Sequence, residues 1–126
     1  MEKTFFITIT GISNYYGKTP FEIGRTFRII KEPDNQFDKE AIVAALPYIG
    51  KIGYVANSTK TVYDGTISAG RLYDKIGDYA YGKVLFVTHS SAIAIVLSPD
   101  EVEEDDDVDK ETDSEVIEEI APTKEV

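Results

Sequence analysis

The sequence predicts a small, mainly β domain, a six-stranded and partly closed barrel with about one helix, followed by a disordered acidic tail. Three observations lead there. Short apolar runs alternate with a period of two between clusters of turn residues. Only one stretch carries helical spacing. Charge is also segregated: residues 99–126 hold 14 of the 23 acids and only Lys110 and Lys124, a net of −12, whereas residues 1–98 hold 9 acids and 11 Lys+Arg, a net of +2.

Thr4–Thr10 is the first expected strand, with Phe5, Ile7 and Ile9 on one side and Phe6, Thr8 and Thr10 on the other. Gly11 to Gly24 carries three glycines, Ser13, Asn14 and Pro20, and reads mostly as loop. Arg25–Lys31 is the second strand, closed by a turn at Pro33, Asp34 and Asn35, where proline presets φ and short polar side chains bond back to the backbone. Ala41–Leu46 is apolar enough to be buried on both faces, and Pro47–Gly50 turns it into Lys51–Val55. Between Ser58 and Gly77 the period changes: Leu72, Tyr73 and Ile76 have helical spacing, and Gly70 weakens a helix that starts much earlier. Val84–Thr88 and Ala92–Leu97 form a closing hairpin across His89-Ser90-Ser91. Closure into a barrel removes exposed sheet edges.

The expected organisation is one domain over 1–98 and a tail over 99–126. Such a domain can bury a single core without staples. Absence of cysteine excludes disulfides and thiolate metal sites, and a single histidine disfavours structural zinc. The N-terminal apolar stretch is too short for a signal peptide, and no segment reaches the roughly 18–20 apolar residues of a membrane span. The expectation is a soluble, cytoplasmic protein with no membrane partner. Like charge without aromatics makes disorder the default for the tail, although Val116, Ile117 and Ile120 have the spacing of a short amphipathic helix.

Two loops carry candidate chemistry. Asn14-Tyr15-Tyr16-Gly17 places adjacent tyrosines on a glycine-flanked loop; both cannot face one core, so at least one projects where an unpaired base can stack. The plainer reading is one ring plugging the barrel end. Glu32 to Lys39 is a tight polar loop in which Phe37, Asp38 and Lys39 exceed what a turn requires. Its plainer reading is an ordinary turn with a buried phenylalanine. His89 reads as a surface turn residue. Asp34, Asp38, Asp64, Asp74 and Asp78 have no spacing that converges on a catalytic metal, and no GxxxxGK[ST] loop is present. Lys18, Arg25, Arg28, Lys31, Lys39, Lys51, Arg71 and Lys75 are spread out and read as scattered surface charge.

Beyond residue types, Ile9–Leu97 resembles the HIRAN domain, found fused to DNA-remodelling helicase-like proteins and as stand-alone bacterial proteins. The resemblance rests on Gly11-Ile12-Ser13-Asn14-Tyr15-Tyr16-Gly17, on Glu32-Pro33-Asp34-Asn35-Gln36-Phe37-Asp38-Lys39-Glu40-Ala41-Ile42 and on Lys51-Ile52-Gly53-Tyr54-Val55. Ala56-Asn57-Ser58 and Ser68-Ala69-Gly70-Arg71-Leu72-Tyr73 look like the bacterial branch. It implies an OB-like barrel that captures the 3′ end of single-stranded DNA. On that mapping Tyr15, with Tyr16 beside it, stacks a base. Asn35, Phe37 and Asp38 grip the terminal nucleotide, with Asp34 and Lys39 in the same loop. Tyr54 and Asn57 lie near the phosphates. Asn14 stands where helicase-linked relatives have a basic residue, Phe37 where they have tyrosine, and Asp34 where they have asparagine.

A carboxylate repels phosphate but is a strong acceptor for a hydroxyl donor, so Asp38 is expected to read a free 3′-OH. The function that follows is a non-enzymatic DNA-binding module moderated by the acidic tail, with DNA-processing proteins as further partners and no cofactor or metal. A protein-interaction adaptor without DNA affinity, or a small nuclease, are the alternatives.

Overall fold

A computed structural model describes residues 4–102. Six strands, β1 (Phe6–Thr10), β2 (Thr26–Lys31), β3 (Ile42–Leu46), β4 (Gly50–Val55), β5 (Tyr79–Val87) and β6 (Ala92–Leu97), close into one barrel in the order β1-β4-β3-β2-β5-β6. Every neighbouring pair is antiparallel. The barrel is mainly β and has one short helix, α1 (Ala69–Tyr73), as the periodicities predict.

The alternation in β1 sends Ile7 and Ile9 into the core, where both are fully buried with Ile29, Ile42, Ile52 and Leu72. Thr8, on the opposite face, is also fully buried, with the Tyr63–Thr66 turn against it. Its hydroxyl pairs with Thr66 Oγ1 at 2.9 Å and accepts from the Tyr63 amide at 3.2 Å, so its burial leaves no orphan polar atom. Strand β3 is buried on both faces: Ile42 and Ala44 face the main core, while Val43 and Ala45 pack outside it against Ile30 and Tyr54.

Strand β5 begins at Tyr79, five residues before the expected Val84. Gly82 argues against a strand by propensity, since glycine weakens strand interiors. Here it is required by packing: a Cβ at Gly82 would lie 2.6 Å from the Phe27 ring, which is 1% exposed. Helix α1 covers only five residues, capped by Ser68, whose hydroxyl accepts from the Arg71 amide at 3.2 Å. Ile76 lies beyond the helix end yet still packs on the core.

Arg28 corrects the reading of the basic residues as surface charge. It is 3% exposed on β2, donates to the Tyr81 hydroxyl at 2.7 Å and lies 4.4 Å from the Tyr79 ring centroid. Aromatic faces offset part of the cost of burying its charge. Pro99–Glu101, expected to begin the tail, instead forms a 3-10 turn in which the Ser98 amide donates to Glu101 Oε1 at 2.7 Å. The rest of the tail, including Val116, Ile117 and Ile120, lies outside the described residues.

Candidate nucleic-acid interface

Barrel closure gathers three segments at one end. The register Thr10↔Tyr54 sets the loop after β1 beside β4, and Val43↔Tyr54 brings the β2–β3 loop to the same place. Between them is an open cleft of ≈ 700 Å³, whose lining includes Asn14, Tyr15, Asn35, Phe37, Asp38, Tyr54 and Asn57.

The first loop starts at Gly11, whose φ of 71° is a conformation that glycine adopts without strain, and winds through a 3-10 turn at Ile12–Asn14. Ile12 anchors the turn in the core at 2% exposure, which projects the next residues outward. Tyr15 is 39% exposed, and its ring centroid lies 6.4 Å from that of Tyr54 with the planes tilted by 42°. Tyr16 is half-exposed and does not line the cleft. Its hydroxyl reaches the Ile49 carbonyl of the β3–β4 turn at 3.3 Å.

In the second loop Asn35 builds the turn. Its Oδ1 accepts from the amides of Phe37 at 2.8 Å and Asp38 at 3.0 Å, while its Nδ2 donates to Glu32 Oε1 at 3.0 Å. The turn expels Phe37, whose side chain is 95% exposed rather than buried as the plainer reading would have it. Asp38 is half-buried: Oδ1 accepts from the Glu40 amide at 2.9 Å and Oδ2 from Asn57 Nδ2 at 2.8 Å. A carboxylate offers about four acceptor positions, so Asp38 is oriented and retains capacity for a further donor. Asp34 and Lys39 are exposed on the same loop but do not line the cleft.

The sequence reading missed Glu32 as a hub. Its Oε1 accepts from both Asn35 and Tyr54, the latter at 2.8 Å, and its Oε2 pairs with Lys51 at 3.1 Å. Burial pushes the Glu32 carboxyl upward, but hydrogen bonds from Asn35, Tyr54 and Lys51, with the charge of Lys51, outweigh it and hold the group below its ordinary value. Burial, and then the bond to Glu32, holds the Tyr54 hydroxyl well above the usual phenol range. Tyr54 is thus a neutral donor committed to Glu32, with its ring beside that of Tyr15 in the cleft wall.

Several basic residues are committed inside the fold. Arg25 donates to the Pro20 carbonyl at 3.0 Å and Lys31 to the Ile76 carbonyl at 3.0 Å. Lys39 and Lys60 are exposed at the rim, Lys60 between the cleft residues Ser58 and Thr61; nothing in the pattern around Lys60 marked it. Among the described residues, no three His, Cys, Asp or Glu side chains cluster so as to hold a metal ion, and no helix is long and apolar enough to cross a membrane.

The sequence matches no protein-family model and no curated protein. Two solved structures share the fold. A protein from Lactobacillus plantarum is 20% identical, with a TM-score of 0.50 over 76% of this chain and 97% of its own. The HIRAN domain of human HLTF is 14% identical, with a TM-score of 0.51 over 98% of this chain and 89% of its own. The chain therefore has the fold of a HIRAN domain.

Proposed function

We propose that this HIRAN-fold barrel is a non-enzymatic module that binds single-stranded DNA, prefers free 3′-OH ends and is moderated by its acidic tail. One observation carries the reading: two projecting rings, Tyr15 and Phe37, flank an open cleft in which an oriented carboxylate, Asp38, has acceptor capacity to spare. Rings beside a groove suit unpaired bases, whose stacking is worth about 1–3 kcal/mol each. The acid suits a terminal hydroxyl and repels a terminal phosphate. Lys39 and Lys60 at the rim suit the backbone.

The test is fluorescence anisotropy with labelled single strands ending in a 3′-OH, in a 3′-phosphate, or closed into a circle. Tighter binding of the 3′-OH strand is expected. Equal binding of all three removes the end-reading role of Asp38. Loss of label from the strand when divalent metal is added would show a nuclease instead.

An adaptor role is the second reading. Ile23 is 73% exposed, Phe86 52% and Leu85 36%, on two segments that the Gly24 amide joins through the Val84 carbonyl; none of the three lines the cleft. DNA association unchanged by Tyr15→Ala would favour it.

A further inference from the structure

We infer that Tyr48 forms, with Tyr16, a second aromatic step outside the cleft, which takes the next bases of a bound single strand. The inference rests on the DNA-binding reading above and extends it from the terminal nucleotides to the strand behind them.

The β3–β4 turn is built at a conformational cost. Tyr48 has φ 75°, the only positive φ at a non-glycine among the described residues. Bulky side chains rarely occupy that region, and holding one there strains the backbone. Packing does not explain the tyrosine, because it is 81% exposed. Its side chain makes no hydrogen bond within the described residues. Glycine or asparagine would turn the chain there with less strain. What tyrosine adds is a ring held out in solvent.

The position of that ring selects its occupant. Tyr16 ties the two turns together through its bond to the Ile49 carbonyl at 3.3 Å, which sets a half-exposed ring next to the β3–β4 turn. Tyr15, one residue earlier, lines the cleft. Tyr15 and Tyr16 on the first loop and Tyr48 on the β3–β4 turn thus belong to two turns that the Tyr16–Ile49 bond holds together. The two segments, 11–20 and 47–51, contain no acid and contribute the exposed Lys18, so this surface favours a polyanion with ring faces of its own. Single-stranded nucleic acid meets both conditions, and stacking accepts any base.

The experiment measures anisotropy of 5′-labelled oligothymidylates with free 3′ ends, from roughly 3 to roughly 12 nucleotides, on the full chain. Tyr48→Gly is the main variant, since glycine relieves the strained φ and keeps the turn folded. Wild-type affinity should rise with length and then level off. Tyr48→Gly should lower the plateau by about tenfold, one base stack, and leave the shortest strands unchanged. Tyr48→Phe should retain the wild-type plateau. Length-dependent binding that is the same in wild type and Tyr48→Gly overturns this inference alone. Equal loss at every length also overturns it, because the turn would then act on the cleft. A wild-type chain that binds no strand of any length overturns the cleft reading and this one with it.

Discussion

Asn57 ties the cleft to helix α1: its Nδ2 donates to Asp38 Oδ2 at 2.8 Å while its Oδ1 accepts the Gly70 amide at 2.8 Å. The acid proposed to read the terminal hydroxyl is thereby referenced to the first turn of α1. Asn57→Ala should leave the barrel folded, at a cost of about 0.5–1.5 kcal/mol for each of the two lost hydrogen bonds. It should also narrow the difference in affinity between 3′-OH and 3′-phosphate strands severalfold. Parallel denaturant titration and anisotropy separate the two effects.

Phe37 offers the cleanest separation of binding from folding. A ring that is 95% exposed contributes little packing, so Phe37→Ala should change unfolding free energy by less than about 0.5 kcal/mol. DNA affinity should nevertheless fall about tenfold if the ring holds a base. Unchanged affinity would relieve Phe37 of that role.

Glu32 should appear in the acid limb of stability. Its folded-state pKa lies below the ordinary 4.5, so its contribution is complete above about pH 4.5 and is lost as pH falls through the folded value. Glu32→Gln should be less stable than wild type at neutral pH, and the gap should shrink on acidification below that point. Urea titrations across the acid range would check this. A gap independent of pH would mean that the carboxylate charge is not what the network uses.

Gly82→Ala should destabilise the barrel by about 1–3 kcal/mol, because the added methyl meets the buried Phe27 ring and cannot escape. Phe27→Leu combined with it should recover part of that loss. Thermal melts of the two single variants and the double variant form the required cycle.

A chain ending at Val102 keeps the 3-10 turn at Pro99–Glu101 but loses nearly all of the tail's acids. If the tail competes with phosphates, this truncation should tighten DNA binding, most at low salt where screening is weakest. Identical binding of full-length and truncated chains across salt concentrations would show that the tail does not act on the site.

Much of the barrel was legible because β1, β3, β4 and β6 announce themselves locally through alternation or short apolar runs between turns. The start of β5 was not. Gly82 argues against a strand, and only the approach of Phe27 from across the sheet explains it. The loops of the site were legible as unusual, since neither Tyr15-Tyr16 nor Phe37-Asp38 is needed to turn a chain. Glu32 was not, because an acid before Pro33 looks solvated until β4 brings Tyr54 and Lys51 against it. Arg28 misled for the same reason: its neighbours Tyr79 and Tyr81 come from fifty residues away in the chain. Tyr48 was silent, because backbone handedness in a turn leaves no trace in residue spacing.

Strand β1 meets β6 in register from Phe6 to Ile9 but meets β4 only at Ile9↔Val55 and Thr10↔Tyr54. That short join is the seam of the barrel, and the cleft opens on it, lined there by Thr10, Val55 and the neighbouring rings of Tyr15 and Tyr54. A ligand gripped there spans the join with the fewest register pairs, so occupancy and resistance to unfolding rise together.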